Sequence, residues 1–198
     1  MIVTIARKHG SGGHNVAKAL ADKLNIACFS KQIVDKAAEG TNFSADVLRT
    51  FDEKRVSTFI IPESHYYGMH DGFRLNMQAA TAQFEAIRKI AAQGDCVFVG
   101  RCADYVLRER EDLFRVFLFA DKESCISTLM KRYDIDYDQA KKLRKEVNKD
   151  RASFYRYYTD QIWGESENYD LCINTANLTY DDAADIIIAA LKARGLVK

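Results

Sequence analysis

The chain of 198 residues has one proline, no Cys-x-x-Cys pair, almost no net charge and no long apolar run. A single proline, Pro62, excludes a proline-rich hinge or linker. No repeat and no low-complexity segment breaks the sequence. The five cysteines, Cys28, Cys96, Cys102, Cys125 and Cys172, form an odd set without metal-site spacing, which excludes a disulfide scaffold. Cys28, Cys96 and Cys172 lie in apolar runs and read as buried thiols of a protein in the reducing cytoplasm. With 29 basic and 28 acidic residues, the net charge of +1 offers no bulk attraction to nucleic acid or to an anionic membrane. The richest apolar stretch, Leu113 to Ala120, is interrupted by Arg115 and falls far short of the ~20 residues of a membrane span. Arg7 follows the start too closely for a secretory leader. His9, His14, His65 and His70 have no metal-ligand spacing, and no Ser-His-Asp set can be assembled.

What is present is ordinary globular composition, 47% apolar and 29% charged, enough for one α/β domain over residues 1–198. Short apolar runs predict five strands: Ile2–Ala6, Ile26–Phe29, Cys96–Gly100, Phe114–Ala120 and Asp170–Ile173. Between them lie helical faces. Met77, Ala80, Phe84, Ile87 and Ala91 make one, stopped by Gly94. Ile126, Leu129, Met130 and Tyr133 make another, opened by Asp121 or Ser124. Ala183, Ile186, Ile187, Ala190 and Leu191 make the last, with Thr179 and Asp182 spaced as a capping box and Gly195 as the stop. Alternating strands and helices imply a parallel sheet covered on both faces, with ligands beyond the carboxyl ends of its strands. The stretch Thr41 to Gly72, with Pro62 and the pair Tyr66-Tyr67, reads as a flap over the second substrate.

The segment opening the chain points to chemistry. A β-branched run breaks into a loop holding Gly10, Ser11, Gly12 and Gly13, and then Val16, Ala17, Leu20, Ala21 and Leu24 recur at helical spacing. Strand, glycine loop and helix aim backbone N–H groups and a helix N-terminus at one point, which attracts phosphate. The usual phosphate loop ends Gly-Lys-Ser/Thr; aligned on the helix, this chain has Gly13 where the lysine belongs and Asn15 near the magnesium-binding hydroxyl. Arg7, Lys8 and His14 are the cations able to return the missing charge. A structural glycine turn is the plain alternative. A dinucleotide loop fits less well, because Asn15 takes its third glycine position and no acid ends the second strand.

Val97-Phe98-Val99-Gly100-Arg101 releases an arginine at the ligand edge, where a guanidinium suits a phosphate; a structural pair with Asp104 or Glu109 is the alternative. Between Lys131 and Arg156 lie nine basic residues. Most should coat a solvent face, and two or three arginines could fold over a triphosphate. The series Phe154, Tyr155, Tyr157, Tyr158 and Trp163 reads as a packing face rather than a base-stacking platform.

Taken together, Gly10-Ser11-Gly12-Gly13, Gly100-Arg101-Cys102-Ala103-Asp104-Tyr105, Lys149-Asp150-Arg151-Ala152-Ser153-Phe154-Tyr155 and Tyr169 to Thr175 resemble, in order, the cytidylate kinase-like family, a branch of the P-loop nucleoside monophosphate kinases. The resemblance implies a three-layer P-loop fold with a five-stranded parallel sheet, helices on both faces and a helical lid near 131–160. It implies an acceptor-binding region over 30–94. On it, Arg101 would grip the acceptor phosphate, Arg132 and Arg151 would be lid arginines, and Asp150 would sit in the lid's acidic motif. Arg7, Lys8, Gly10, Ser11, Gly12, Gly13, His14 and Asn15 would hold the donor phosphates of ATP, and Asn174-Thr175 would edge the adenine. Ser30, Lys31, Lys36, Arg101 and Asp104 would face the acceptor, with Asn15 or Ser11 helping Mg2+. The expected partners are a nucleotide donor and a small phosphate acceptor, with neither nucleic acid nor membrane. A nucleotide-binding regulator without turnover, or a loop that has lost its function, is the alternative left by the missing lysine.

Overall fold

A computed structural model describes residues 1–39, 45–50, 52–54 and 66–198, with side chains of 45, 47, 48 and 66–75 left aside. Half of the expected flap, including Pro62, lies outside the described residues.

The chain runs β1 (Ile2–Arg7), α1 (Gly13–Leu24), β2 (Ala27–Phe29), α2 (Gln32–Glu39), α3 (Ala45–Thr50) and α4 (Tyr66–Ala91). It continues β3 (Cys96–Val99), α5 (Ala103–Val106), β4 (Leu113–Phe119), α6 (Lys122–Tyr133), α7 (Tyr137–Thr159), β5 (Leu171–Asn174) and α8 (Tyr180–Ala193). All five expected strands form, each shifted by a residue or so. The sheet is parallel in the order β2-β3-β1-β4-β5, so the first strand lies at its centre. Alternation along the strands divides the core. Val3, Ile5, Val97, Val99, Val116 and Leu118 pack on α1 and α8, while Ile2, Phe98 and Leu113 face α4 and α5. Covered on both faces, these strands are mostly apolar, with Thr4 in β1 and Arg115 in β4 among the exceptions.

Local chemistry explains the helix ends. Asp121 caps α6 by accepting from the Ser124 N–H, and both Asp136–Gln139 and Thr179–Asp182 close as capping boxes on α7 and α8. Tyr66, Tyr67 and Gly68, expected in a flap, belong to α4, whose helical pattern starts earlier than Met77. Among the described residues no helix is long and apolar enough to cross a membrane. Cys172 corrects the expectation of burial: β5 is an edge strand, and alternation turns this thiol outward. All five cysteines are free, and burial pushes the Cys28 and Cys96 thiols up to about 11 and about 12, which makes them unreactive.

Candidate active site at the strand ends

The carboxyl ends of β1, β2 and β3 open into a cavity of about 690 Å³. The glycine loop and α1 N-terminus form its floor, and α6 and α7 contribute Arg132, Asp150 and Arg151. A second cavity of about 340 Å³ lies across the loop, between Gly10, Ser11, Gly12, Ser124, Thr128 and the turn Thr175–Tyr180. One glycine loop therefore separates two hollows, the layout required when a phosphate chain must pass from one ligand to another.

The glycines are dictated by close approach. Gly10 (φ +92°) lies so near the start of α6 that a Cβ would come within 2.5 Å of the Cys125 carbonyl. Gly12 (φ +76°) is the N-cap of α1, with no side chain capping it, and leaves first-turn N–H groups for a ligand. Ser11 does not line the large cavity; its hydroxyl donates instead to the Lys8 and Leu118 carbonyls, at 2.8 and 3.2 Å. Asn15 lies one turn into α1 and lines neither cavity.

Gly13 is explained by Arg7. A Cβ on Gly13 would meet Arg7 Cγ at 2.6 Å and Cβ at 2.7 Å. The arginine leaving β1 thus runs through the space where the lysine of an ordinary phosphate loop would start. It ends in a bidentate pair with Glu53, Nη1 to Oε1 at 2.8 Å and Nη2 to Oε2 at 3.0 Å.

Glu53 collects two further donors. The Arg101 backbone N–H reaches Oε1 at 2.9 Å, and Arg151 Nε reaches Oε2 at 3.3 Å. Burial alone would raise the Glu53 pKa, but Arg7, Arg151 and Arg101 hold its carboxyl well below the usual range. Arg101 follows Gly100 in a run of positive φ values, 78°, 55° and 54° through Cys102. Its Nε donates to Asp52 Oδ1 at 2.9 Å, Nη2 also bonds Asp52, and Nη1 donates to the Val99 carbonyl at 2.9 Å. Its partner is thus Asp52, not Asp104 or Glu109. The Asp52 pKa is raised, because burial outweighs the Arg101 charge.

The remaining residues divide clearly. Lys8, Lys31 and Arg132 line the large cavity and, among the described residues, have no ion-pair partner; His14 and Ser30 also line it. Burial, with Arg151, Arg7 and Arg132, lowers the His9 pKa to about 4, so the imidazole is neutral at pH 7. Asp150 lies 3.6 Å from Lys54 Nζ. Burial, with repulsion from Arg7, lowers Arg151 to about 10, leaving it charged. Thr175 lines the second cavity and donates to the Ser11 carbonyl at 3.0 Å, while Asn174 turns back to the Ala176 N–H. Lys36 is exposed on α2 and lines neither cavity. Asp104 is buried and accepts from the Tyr155 hydroxyl at 2.8 Å rather than facing the large cavity. Lys141, Lys142, Lys145, Lys149 and Arg156 coat the outside of α7, as a charge run should. Phe154 and Tyr155 pack with Phe84, Tyr158 and Trp163 as an aromatic cluster.

Asp52 and Glu53 were not legible as site residues. Their only signal was an acid pair in a segment otherwise hard to read.

Comparison with known proteins agrees with this layout. Residues 2–177 match the model of the cytidylate kinase-like family. A cytidylate kinase of Archaeoglobus fulgidus is 26% identical over 98% of this chain and 96% of its own. A solved structure of an uncharacterised protein from Eubacterium ventriosum is 30% identical, with a TM-score of 0.75 over 98% of this chain and 99% of that one. A shikimate kinase from Bacteroides thetaiotaomicron shares the fold at 13% identity and TM-score 0.58, over 97% and 98% of the two chains.

Proposed function

Because the chain belongs to the cytidylate kinase-like family, we propose that it moves the γ-phosphoryl group of ATP to a nucleoside monophosphate, with a CMP-like acceptor. The observation that carries this reading is the pair of cavities sharing one glycine loop, the larger rich in cations.

The donor's phosphates would lie on the N–H groups of Gly10 to His14, with its base in the cavity edged by Thr175. An oxygen of the acceptor phosphate attacks the γ-phosphorus in line, a new P–O bond forms, and the bond to the β–γ bridging oxygen breaks to release ADP. No covalent enzyme intermediate is needed. Arg7 would supply the charge that a loop lysine ordinarily brings, while Arg101, Arg132 and Arg151 neutralise the moving group and the acceptor. Asp150, which lines the large cavity, would hold Mg2+, whose charge would offset that of the donor phosphates, since magnesium needs only one or two such ligands beside phosphate. Ser30 and Lys31, which line the same cavity, would face the acceptor. Free thiols and the absence of a spanning helix among the described residues support a cytoplasmic setting.

A coupled assay with ATP, Mg2+ and a panel of nucleoside monophosphates tests the reading. ADP release dependent on CMP, and lost in Arg101→Ala, supports it. The second reading, a regulator that binds nucleotide without turnover, is favoured by Gly13 alone. ATP-induced thermal stabilisation with no ADP formed would establish that alternative.

A further inference from the structure

The three most deeply seated cations of the large cavity are bound to the chain's own carboxylates. Glu53 accepts from four donors, two on Arg7, one on Arg151 and the backbone amide of Arg101, which fills the acceptor capacity of a carboxylate. Asp52 takes the Arg101 guanidinium from two nitrogens. With that pair in place the Arg101 side chain is only 4% exposed.

We propose that Asp52 and Glu53 stand in for the phosphate dianion of the acceptor, keeping the cradle of Arg7, Arg101 and Arg151 assembled until a phosphate displaces them. The proposal rests on reading this cluster as the acceptor-phosphate end of a kinase site.

Charge and donor count carry the argument. A phosphate monoester brings close to two negative charges on three strong acceptor oxygens, matching what the acid pair supplies to the same guanidinium groups and amide. Without an anion, three buried arginines would repel one another, and such uncompensated charge is strongly destabilising. Two adjacent, partly buried carboxylates also repel each other, and the arginines offset that repulsion. Exchange for phosphate therefore replaces one set of charge-assisted hydrogen bonds with another. Lys8, Lys31 and Arg132 line the same cavity and, among the described residues, lack ion-pair partners, so the incoming anion is attracted before the exchange takes place.

Titration calorimetry with inorganic phosphate tests this without turnover. Glu53→Gln should bind phosphate about tenfold more tightly than the unaltered protein, as when a cradle open in a tenth of the molecules becomes open in nearly all. Arg101→Ala added to that variant should remove the gain. Asp150→Asn deletes one charge from the same cavity without opening the cradle and should give much less. In the unaltered protein, hydrogen exchange at residues 52–54 should quicken when phosphate is added, a readout that does not depend on any variant folding. Equal or weaker binding by Glu53→Gln, an equal gain in Asp150→Asn, or slower exchange at 52–54 would overturn the proposal while leaving the kinase reading in place. Absence of phosphate binding in every variant, with no change in exchange, would overturn both.

Discussion

Arg7 and Gly13 form one unit, because the side chain of the first occupies the volume where a side chain on the second would begin. Gly13→Lys, which spells the usual phosphate loop, should therefore fail: the new chain meets Arg7 Cβ and Cγ, and stabilisation by ATP should disappear. Combining Arg7→Gly with Gly13→Lys, which removes both offending carbons, should recover much of it, a rescue visible in paired thermal melts. Arg7→Ala alone should lower kcat by about a hundredfold, as lost transition-state contacts commonly do. His9 gives a second prediction at this scale. Its folded pKa, about 4, lies below the unfolded value near 6.5, so between them the unfolded chain binds more protons. The stability contributed by neutral His9 is therefore complete above about pH 6.5 and lost as pH falls toward 4, by on the order of 2–3 kcal/mol. His9→Gln should flatten that part of a urea-denaturation pH profile; an unchanged slope would show that the imidazole is charged in the folded state.

Among the elements, α5 and α7 meet beneath the cavity through a single polar joint. The Tyr155 hydroxyl lies 2.8 Å from Asp104 and 3.1 Å from Gln161, and burial raises the Asp104 pKa even though Tyr155 opposes the shift. Tyr155→Phe should cost about 1–3 kcal/mol, since a buried acceptor loses its donor, and should move the urea midpoint with little change in slope. The elements themselves were largely legible. Short apolar runs marked the parallel strands, and the Thr179–Asp182 spacing marked the helix that follows β5. The Tyr66–Gly68 stretch misled because aromatic residues and a glycine resemble a loop, while helix α4 is fixed by tertiary packing of its later turns.

At the level of the molecule, ATP with Mg2+ at about a hundred times its dissociation constant should add about 2.7 kcal/mol, raising the melting temperature of a chain this size by about 5–10 °C. No rise would mean that the loop does not hold polyphosphate. The location of the two cavities could be read from one sheet edge and one glycine loop. The wiring of the larger one could not, because the Asp52 and Glu53 contacts to Arg7, Arg101 and Arg151 join residues 46 to 98 positions apart, and no local pattern encodes such pairing. A similar long-range dependence sets when the loop can form. Gly12 lies against Tyr180, the Ser11 carbonyl is held by Thr175, and α1 is packed on α8. During synthesis β1 and its loop leave the ribosome before α8 and the turn that leads into it. A growing polypeptide thus has no fully supported glycine loop until α8 docks, and a product truncated before α8 should be unable to sequester cellular nucleotide.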